Sequence, residues 1–417
     1  MTEPVQLPEK IRSLNVSIDG MASGQLLRHS VYEYRYLKPN PDQPSVALQM
    51  PARQPTWQAG DLFPSMDQNL PEGDLFMRLR AMFPKQSLAP MHLLALAGQN
   101  GIGRLGFAMP DQPALGTGRV IDKATLLATR YSPAVFDELV AAYLSTGAGI
   151  AGMQPKIMVP DRPTVPVPSL IVKAASETYP GLAANEFLCM SAAQRAGILT
   201  PTFELSDDGQ MLVLDRFDLV DAGDGKMLRL GFEDMAALGG LRVRDTLADR
   251  KYHGSYQQVA ELLRKFMLHS DDLHRFFEQV AFSVMVRNGD AHLKNFGLLY
   301  SNEKDLRLAP MFDVVTTAVY RYTQYAGGPE LEDRTMALKL FSGRHGSKAY
   351  PTTAELLDFG RRVCGVHHPQ AVIARIAQAM AETLELGKTD PRIPATLRNP
   401  MRVLWEEGMV HDRARSS

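Results

Sequence analysis

Several features that mark special classes of protein are missing from this sequence. It has only two cysteines, Cys189 and Cys364, both in apolar, helix-like contexts, which favours buried thiols in a reducing compartment over a disulfide or metal pair. No run approaches the roughly 18 apolar residues of a membrane span, and residues 1–14 lack the apolar core of a signal peptide. Because 45 basic residues balance 46 acidic ones, no nucleic-acid-binding charge pattern covers the whole chain. We therefore expect a soluble, cytoplasmic protein that makes no membrane contact.

The length and the residue pattern predict how the chain is divided. A chain of 417 residues exceeds the size at which one hydrophobic core keeps growing, so two or three packed subdomains are expected. Short strand patterns broken by Pro and Gly fill residues 1–125, strands and helices are mixed over 126–232, and helical patterns dominate 233–417. These patterns predict an α+β fold with a small mixed N-terminal domain and a mainly helical C-terminal lobe.

Local patterns predict the elements that flank the polar segments. Tyr32, Tyr34 and Tyr36 alternate with charged residues, as in a strand. Two hairpins are predicted, one from 156–159 and 170–173, the other from 296–300 and 306–308. Helices are predicted to begin at Pro133, Asn185 and Leu273 and to end before Gly147, at Ala196 and at Val286.

Two segments in the middle of the chain carry groups that suit a phosphate. Phosphoryl transfer needs positioned charge around the phosphates and an oriented hydroxyl more than it needs covalent chemistry. Small residues over 147–155 would let backbone N–H groups approach anionic oxygens, and Lys156 adds a cation. Lys173 closes an apolar strand, and Glu186 on the next helix could hold it in place. Taken singly, such a glycine cluster is also typical of a plain turn, and such a lysine of a solvated strand end.

Two later segments supply acids. Asp290 and Asn295 have the Asp-x-x-x-x-Asn spacing of a kinase catalytic loop, in which the Asp accepts a hydroxyl proton and the Asn reaches Mg²⁺. His292 between them is, taken alone, more typical of a hydrogen-bonded structural histidine. Asp313 leaves the second hairpin where kinases place an Mg²⁺-binding aspartate, although Val314 follows it instead of the usual Phe. The order of the four segments favours a kinase.

The segments together resemble the HipA family of bacterial toxin kinases across most of the chain. The matching motifs are 69–73, 93–107, Ala151–Lys156, Ile171–Lys173, Asn185-Glu186, Arg216–Asp218, Lys251–Tyr256, Asn288–Phe296 and Leu308–Asp313. The resemblance implies a two-lobed fold similar to that of protein kinases. In that fold, 1–125 would be the N-terminal domain, 126–232 the ATP-binding lobe and 233–417 the catalytic lobe.

The resemblance also implies a role for each site residue. Asp290 would be the catalytic base, and Asp313 with Asn295 would hold Mg²⁺. Groups around the ATP phosphates would be Ala151, Gly152, Met153, Gln154, Pro155, Lys156, Lys173, His292, Leu293, Lys294 and Asn295. The hinge against adenine would be formed by Asp215, Arg216 and Phe217, and Phe312 is also expected to contact the nucleotide.

The family resemblance extends to partners and regulation. It implies a Ser/Thr protein kinase that is neutralised by a small helix-turn-helix antitoxin, contacts DNA only through that antitoxin, and phosphorylates a target such as an aminoacyl-tRNA synthetase. Family members commonly carry a serine, whose autophosphorylation silences the kinase, where this chain has Gly149. The nearest hydroxyls are those of Ser145 and Thr146, so the switch is either absent, which we favour, or moved. A kinase-like DNA co-repressor with little activity, or a kinase for a small molecule or lipid, remain alternatives.

Overall fold

The computed structural model describes residues 7–110, 120–146, 156–161, 167–175, 178–223, 227–266, 268–323, 328–343 and 346–409. The glycine-rich segment 147–155, with Gly149 and the proposed phosphate ligands at 151–155, therefore lies outside the described residues. Cys189 and Cys364 are both free and buried, as expected. Within the described ranges, no helix is both long and apolar enough to span a bilayer.

The N-terminal region contains an antiparallel sheet. Its strands are Ser13–Ile18 (β1), Met21–Arg28 (β2), Tyr32–Tyr36 (β3), Thr56–Ala59 (β4) and Leu105–Ala108 (β5), in the order β4-β3-β2-β1-β5. Three helices accompany it, Pro64–Asp67 (α1), Gly73–Met82 (α2) and Pro90–Ala97 (α3). Strand β3 confirms the strand predicted from the alternating tyrosines. On β1, Leu14, Val16 and Ile18 are buried at every second position, which places one face of the sheet on the core.

A second antiparallel sheet, of order β6-β7-β9-β8, follows. Its strands are Lys156–Val159 (β6), Leu170–Ala174 (β7), Phe203–Leu205 (β8) and Met211–Asp215 (β9), and its helices are Lys123–Ala128 (α4), Pro133–Thr146 (α5) and Leu182–Arg195 (α6). The hairpin predicted from β6 and β7 is confirmed. Helix α6 begins three residues before the predicted Asn185, directly after Gly181, whose φ of +70° is easily adopted by glycine.

The remaining chain is mainly helical. Its strands are Leu219–Asp221 (β10), Met227–Arg229 (β11), Gly231–Asp234 (β12), Gly297–Tyr300 (β13), Leu306–Leu308 (β14), Arg321–Thr323 (β15) and Glu330–Glu332 (β16). Its helices are Met235–Leu238 (α7), Tyr256–Lys265 (α8), Ser270–Met285 (α9), Thr353–Asp358 (α10), Pro369–Gly387 (α11) and Ala395–Met409 (α12), with a 3-10 helix at Asp245–Tyr252. Helix α9 buries Phe276, Phe277 and Val280 completely and carries the chain into residues 288–295.

The N-terminal domain is fixed to this helical lobe by specific polar contacts. The Gln68 side chain pairs with the backbone of β12 as a neighbouring strand would, since its Nε2 donates to Phe232 O (2.7 Å) and its Oε1 accepts from Asp234 N (2.9 Å). Arg244 Nε also donates to Asp67 Oδ1 at 3.0 Å. Because β12 pairs with β13, these contacts place the N-terminal domain beside the segment that precedes β13.

Candidate active site

One cleft of about 970 Å³ is lined by residues from all three regions of the chain. It collects most of the described residues that the sequence singled out: Lys156, Lys173, Asp215, Phe217, Asp290, His292, Lys294, Asn295, Phe312 and Asp313. Two others do not line it. The Leu293 side chain is buried, and that of Arg216 binds elsewhere. The cleft therefore brings together two acids and a carboxamide that are up to 23 positions apart in the sequence.

The deep end of the cleft holds a lysine–carboxylate cluster made of Lys156, Lys173, Glu186 and Asp313. Lys156 and Lys173 are direct neighbours across β6 and β7, so two cations stand side by side. Both bind Asp313, Lys156 through a 3.1 Å contact to Oδ2 and Lys173 through Oδ1. Lys173 also pairs with Glu186 on α6, the partner that the sequence predicted.

Burial makes the charges of this cluster depend on one another. The side chains of Lys173 and Glu186 are 3% and 0% exposed, so water cannot solvate either charge. Each charge must therefore be balanced by its partner. Burial alone raises the pKa of Asp313, but the two lysine ammonium groups outweigh it and hold that pKa far below its ordinary value. Burial likewise lowers the pKa of Lys173, and the carboxylates of Asp313 and Glu186 reverse this shift. Asp313 and Lys173 thus remain ionised at neutral pH.

Asp313 is also unusual in its backbone. Its φ is +53°, in the left-handed region that few residues other than glycine adopt and that aspartate and asparagine tolerate best. Such conformations cost of order 1–3 kcal/mol and are concentrated at functional sites. A turn with no function would ordinarily have glycine at such a position, so the presence of a carboxylate indicates a role for the Asp313 side chain.

Residues 290–295, called the catalytic loop below after the role that the sequence predicts for them, are held by the side chains of Asn288 and Asn295. Asn295 Oδ1 accepts from His292 N at 3.1 Å, and Asn288 Oδ1 accepts from Asp290 N at 3.0 Å. Gly289 packs so closely that a Cβ atom would lie 2.6 Å from the carbonyl oxygen of Thr335. These contacts leave 49% of the Asp290 side chain exposed, on the wall of the cleft.

The carboxyl group of Asp290 is tuned by opposing effects. Protein atoms surround the carboxyl group inside the cleft and desolvate it, which raises its pKa although half of the side chain is exposed. A hydrogen bond from Tyr252 and the charge of Lys251 lower that pKa. A carboxylate whose pKa is raised accepts a proton more readily, which suits a general base. His292 lies beside it, and burial together with the charges of Lys251 and Lys294 lowers its pKa well below normal, so its ring is neutral.

Three residues of the site were not predicted from the sequence. Tyr252 Oη donates to Asp290 Oδ1 at 2.7 Å, and Lys251 also lines the cleft. Glu72, in the N-terminal domain, forms a partly buried ion pair with Lys294 of the catalytic loop. Each lies in a motif that carried the family resemblance, at 251–256 or 69–73, but neither motif by itself indicates a role.

In the predicted adenine hinge, the side chains of Arg216 and Phe217 point in different directions. Phe217 lines the cleft and stacks on Phe312, with ring centroids 5.1 Å apart and planes at 19°. The neighbouring Arg216 points the other way and donates to the carbonyl oxygens of Asn100 (3.0 Å) and Gly101 (2.9 Å). The Arg216 side chain therefore anchors the N-terminal domain. Its backbone N–H is also engaged, because it donates to Ser169 O at 2.9 Å.

The groups present fit an Mg²⁺–nucleotide complex. Mg²⁺ is usually bound in proteins by one or two side chains and completes its shell with phosphate and water oxygens, so Asp313 and Asn295 are a suitable donor pair. Two buried polar atoms of the cleft lining, Glu186 Oε2 and His292 Nδ1, have no hydrogen-bond partner within the described part of the chain. Unsatisfied buried atoms of this kind are candidates for contact with a bound ligand or water.

Comparison with known proteins identifies relatives for both parts of the chain. A family model of the HipA N-terminal domain matches residues 14–108, and one of the HipA-like C-terminal domain matches 148–385. Two candidate kinases of Sinorhizobium fredii are similar to this chain. Y4mE is 25% identical over 331 residues, which cover 74% of this chain and 78% of Y4mE. Y4dM is 30% identical over 167 residues, which cover 36% of this chain and 38% of Y4dM. A candidate kinase of Haemophilus influenzae is 28% identical over 223 residues, which cover 48% of this chain and 60% of that protein. The match thus spans less than two thirds of Y4dM and of the Haemophilus protein.

The fold has a solved counterpart. HipA of Shewanella oneidensis MR-1, solved in a complex with HipB and operator DNA, superposes with a TM-score of 0.65 at 16% identity, covering 95% of this chain and 96% of the other. This likeness confirms the two-lobed α+β fold. Because the C-terminal family model alone matches more than half of the 417 residues, and the N-terminal model matches the domain before it, this chain belongs to the HipA family.

Proposed function

We propose that this protein is a kinase that moves the γ-phosphate of Mg²⁺–ATP onto a Ser or Thr hydroxyl of a protein. The observation that carries the proposal is the shared cleft, in which the buried Lys173–Glu186 pair, Asp290 and Asp313 occur together. Kinases use these same parts: a strand lysine paired with a helix glutamate, a catalytic-loop aspartate and a metal-binding aspartate.

Each group would have a distinct task. Asp290 would accept the proton of the acceptor hydroxyl as its oxygen bonds to the γ-phosphorus and the bond to ADP breaks. Lys156 and Lys173 would hold two positive charges beside the phosphates, and Phe217 with Phe312 would offer an aromatic surface to the base. Bound Mg²⁺, held by Asp313 and Asn295, would supply charge that offsets the negative charge on the transferring group.

The biological setting we propose follows the family. Shewanella HipA is found with HipB and operator DNA, which supports a small helix-turn-helix antitoxin as the partner of this chain, with DNA contacted through that partner. The protein would then be the toxin of the pair, acting in the cytoplasm on a translation component such as an aminoacyl-tRNA synthetase. Since Gly149 replaces the usual serine, we propose that silencing by loop autophosphorylation is absent.

A transfer assay with radiolabelled ATP tests the activity. Asp290→Asn keeps an oxygen that can accept the Tyr252 hydrogen bond but removes the base, so transfer to protein should fall by ~10²–10⁴ while the melting temperature (Tm) stays near that of the wild type. Wild-type transfer by this variant would refute the assigned base. ATP binding without transfer by the unmutated protein would refute the kinase proposal and support the DNA co-repressor, and transfer to small molecules alone would support the third alternative.

A further inference from the structure

The hydroxyl group of Tyr252 lies against the atom that the proposed reaction uses. Tyr252 Oη donates to Asp290 Oδ1 at 2.7 Å, the length of a strong hydrogen bond to a carboxylate. His292 Nε2 is 3.9 Å from the same oxygen, too far for a hydrogen bond. Among the described residues, no donor contacts Oδ2 of Asp290. Within the described part of the chain, the carboxylate therefore has one oxygen that is held by a hydrogen bond and one that is not, on a side chain that lines the cleft.

Tyr252 is itself held in this position. It ends the 3-10 helix Asp245–Tyr252, and Lys348 Nζ donates to its carbonyl oxygen at 2.9 Å. Its ring meets the His292 ring edge-on, with centroids 5.2 Å apart, and the Lys251 ammonium lies 5.2 Å from its ring centroid. Burial and the nearby Asp290 charge raise the pKa of Tyr252, so the phenol stays protonated and can only act as the donor in this pair.

We propose that Tyr252 is a positioning residue for the general base: it fixes Oδ1 of Asp290 and so presents Oδ2 to the acceptor hydroxyl. This inference rests on the proposed function, because it gives Asp290 the role of base. In the reaction, the acceptor proton moves to Oδ2, the acceptor oxygen bonds to phosphorus, and the electron pair of the broken P–O bond leaves with ADP. Tyr252 keeps its own proton throughout.

The chain offers a matched control. Tyr256 is a buried tyrosine that also contacts the catalytic loop, but its hydroxyl donates to the backbone carbonyl of Ala291 (2.9 Å) instead of to a carboxylate. Both Tyr252→Phe and Tyr256→Phe remove one hydroxyl that contacts the loop. Only the first removes a contact to the base. A general loosening of the loop would affect both variants alike, whereas positioning of the base predicts a difference between them.

The test compares kcat and KM for the two variants with those of the wild type. Tyr252→Phe should lower kcat roughly tenfold, the equivalent of one hydrogen bond to a charged group, and leave KM for ATP unchanged. Tyr256→Phe should keep kcat within about twofold even where its Tm falls. In an Asp290→Asn background, Tyr252→Phe should cause no further loss of residual transfer, because the base that it positions is already gone.

Two results would overturn the inference: a kcat for Tyr252→Phe that matches Tyr256→Phe, or phosphate found on Tyr252 by mass spectrometry, which would make it an acceptor. Failure of the kinase proposal is distinguishable, since it would appear as absence of transfer in the wild type. In that case the Tm values of Tyr252→Phe, Asp290→Asn and the double variant still test the contact. Less than additive shifts support it, and additive shifts contradict it.

Discussion

Two lysines, the buried Lys173 and the partly buried Lys294, line the same cleft but are held in different ways. Lys173 binds two carboxylates, Glu186 and Asp313, and shares the second with Lys156. Lys294 pairs with one, Glu72, which comes from the N-terminal domain. The first arrangement can exchange partners, because Lys173 would keep Glu186 while Asp313 turned to a cation. The second is a fixed link between domains. We propose that the lysine–carboxylate cluster binds the nucleotide, whereas the Lys294–Glu72 pair holds the catalytic loop in place.

Removing the cluster lysine should have the largest effect. Lys173→Met leaves Glu186 fully buried without its cation, which typically costs 3–5 kcal/mol in the free energy of unfolding, and transfer should fall by about 10³-fold. Denaturant unfolding and the transfer assay measure both quantities. Lys388→Met is the control, since Lys388 pairs with Glu385 at the surface and should change stability by less than about 1 kcal/mol. Equal losses in the two variants would show that burial of the pair has no special importance.

The second prediction concerns Glu233, a buried acid that accepts hydrogen bonds from neutral groups. Its effect on the free energy of unfolding should depend on pH. Glu233 Oε1 accepts from Leu48 N and from Tyr300 Oη, both at 2.7 Å, and burial raises its pKa from 4.5 to about 7. Between these values the unfolded chain loses a proton that the folded protein retains, so the wild type should lose stability as pH rises from 4.5 to 7. Glu233→Gln should escape this loss and be more stable by up to about 3 kcal/mol at pH 8, with little difference at pH 4.

Unfolding curves of the two proteins at pH 4 and pH 8 give this difference directly. Buried acids that do not interact with Glu233 are present in both proteins and cancel. A stability difference that is independent of pH would mean that folding does not shift the pKa of Glu233.

The interdomain pair should show the smallest effect. Glu72→Gln keeps a hydrogen bond to Lys294 but removes the charge, so we expect kcat to fall by roughly tenfold, with KM for ATP close to that of the wild type. Glu385→Gln, at an exposed pair, should change neither constant. Steady-state kinetics at several ATP concentrations separates kcat from KM. If Glu72→Gln raised KM for ATP and left kcat intact, Lys294 would belong with the nucleotide-binding groups.

The same comparison explains what could be predicted from the sequence. Lys173 and Glu186 are only 13 positions apart, on a strand and the next helix, so a local pattern was enough to pair them. Lys294 and Glu72 are 222 positions apart, and no periodicity links residues that meet through the docking of two domains. Their contact depends on tertiary packing that only the structure provides.

The adenine hinge shows a different limit. Consecutive side chains leaving an extended strand point in opposite directions, so Arg216 and Phe217 cannot both face the cleft. The family motif predicts both as nucleotide contacts, because it carries no information on the direction of each side chain. Applying the alternation of strand side chains to the motif would have separated them. The α+β class and both predicted hairpins, by contrast, follow from local patterns alone and are confirmed.

ATP binding measured by calorimetry, with and without Mg²⁺, tests the central claim most directly. Asn tolerates the positive φ at position 313, so Asp313→Asn removes the charge with little added backbone strain. We predict that Mg²⁺ strengthens ATP binding by the wild type at least roughly tenfold and has no such effect on Asp313→Asn. A wild-type protein that binds no ATP, or a variant whose binding keeps the full dependence on Mg²⁺, would contradict it.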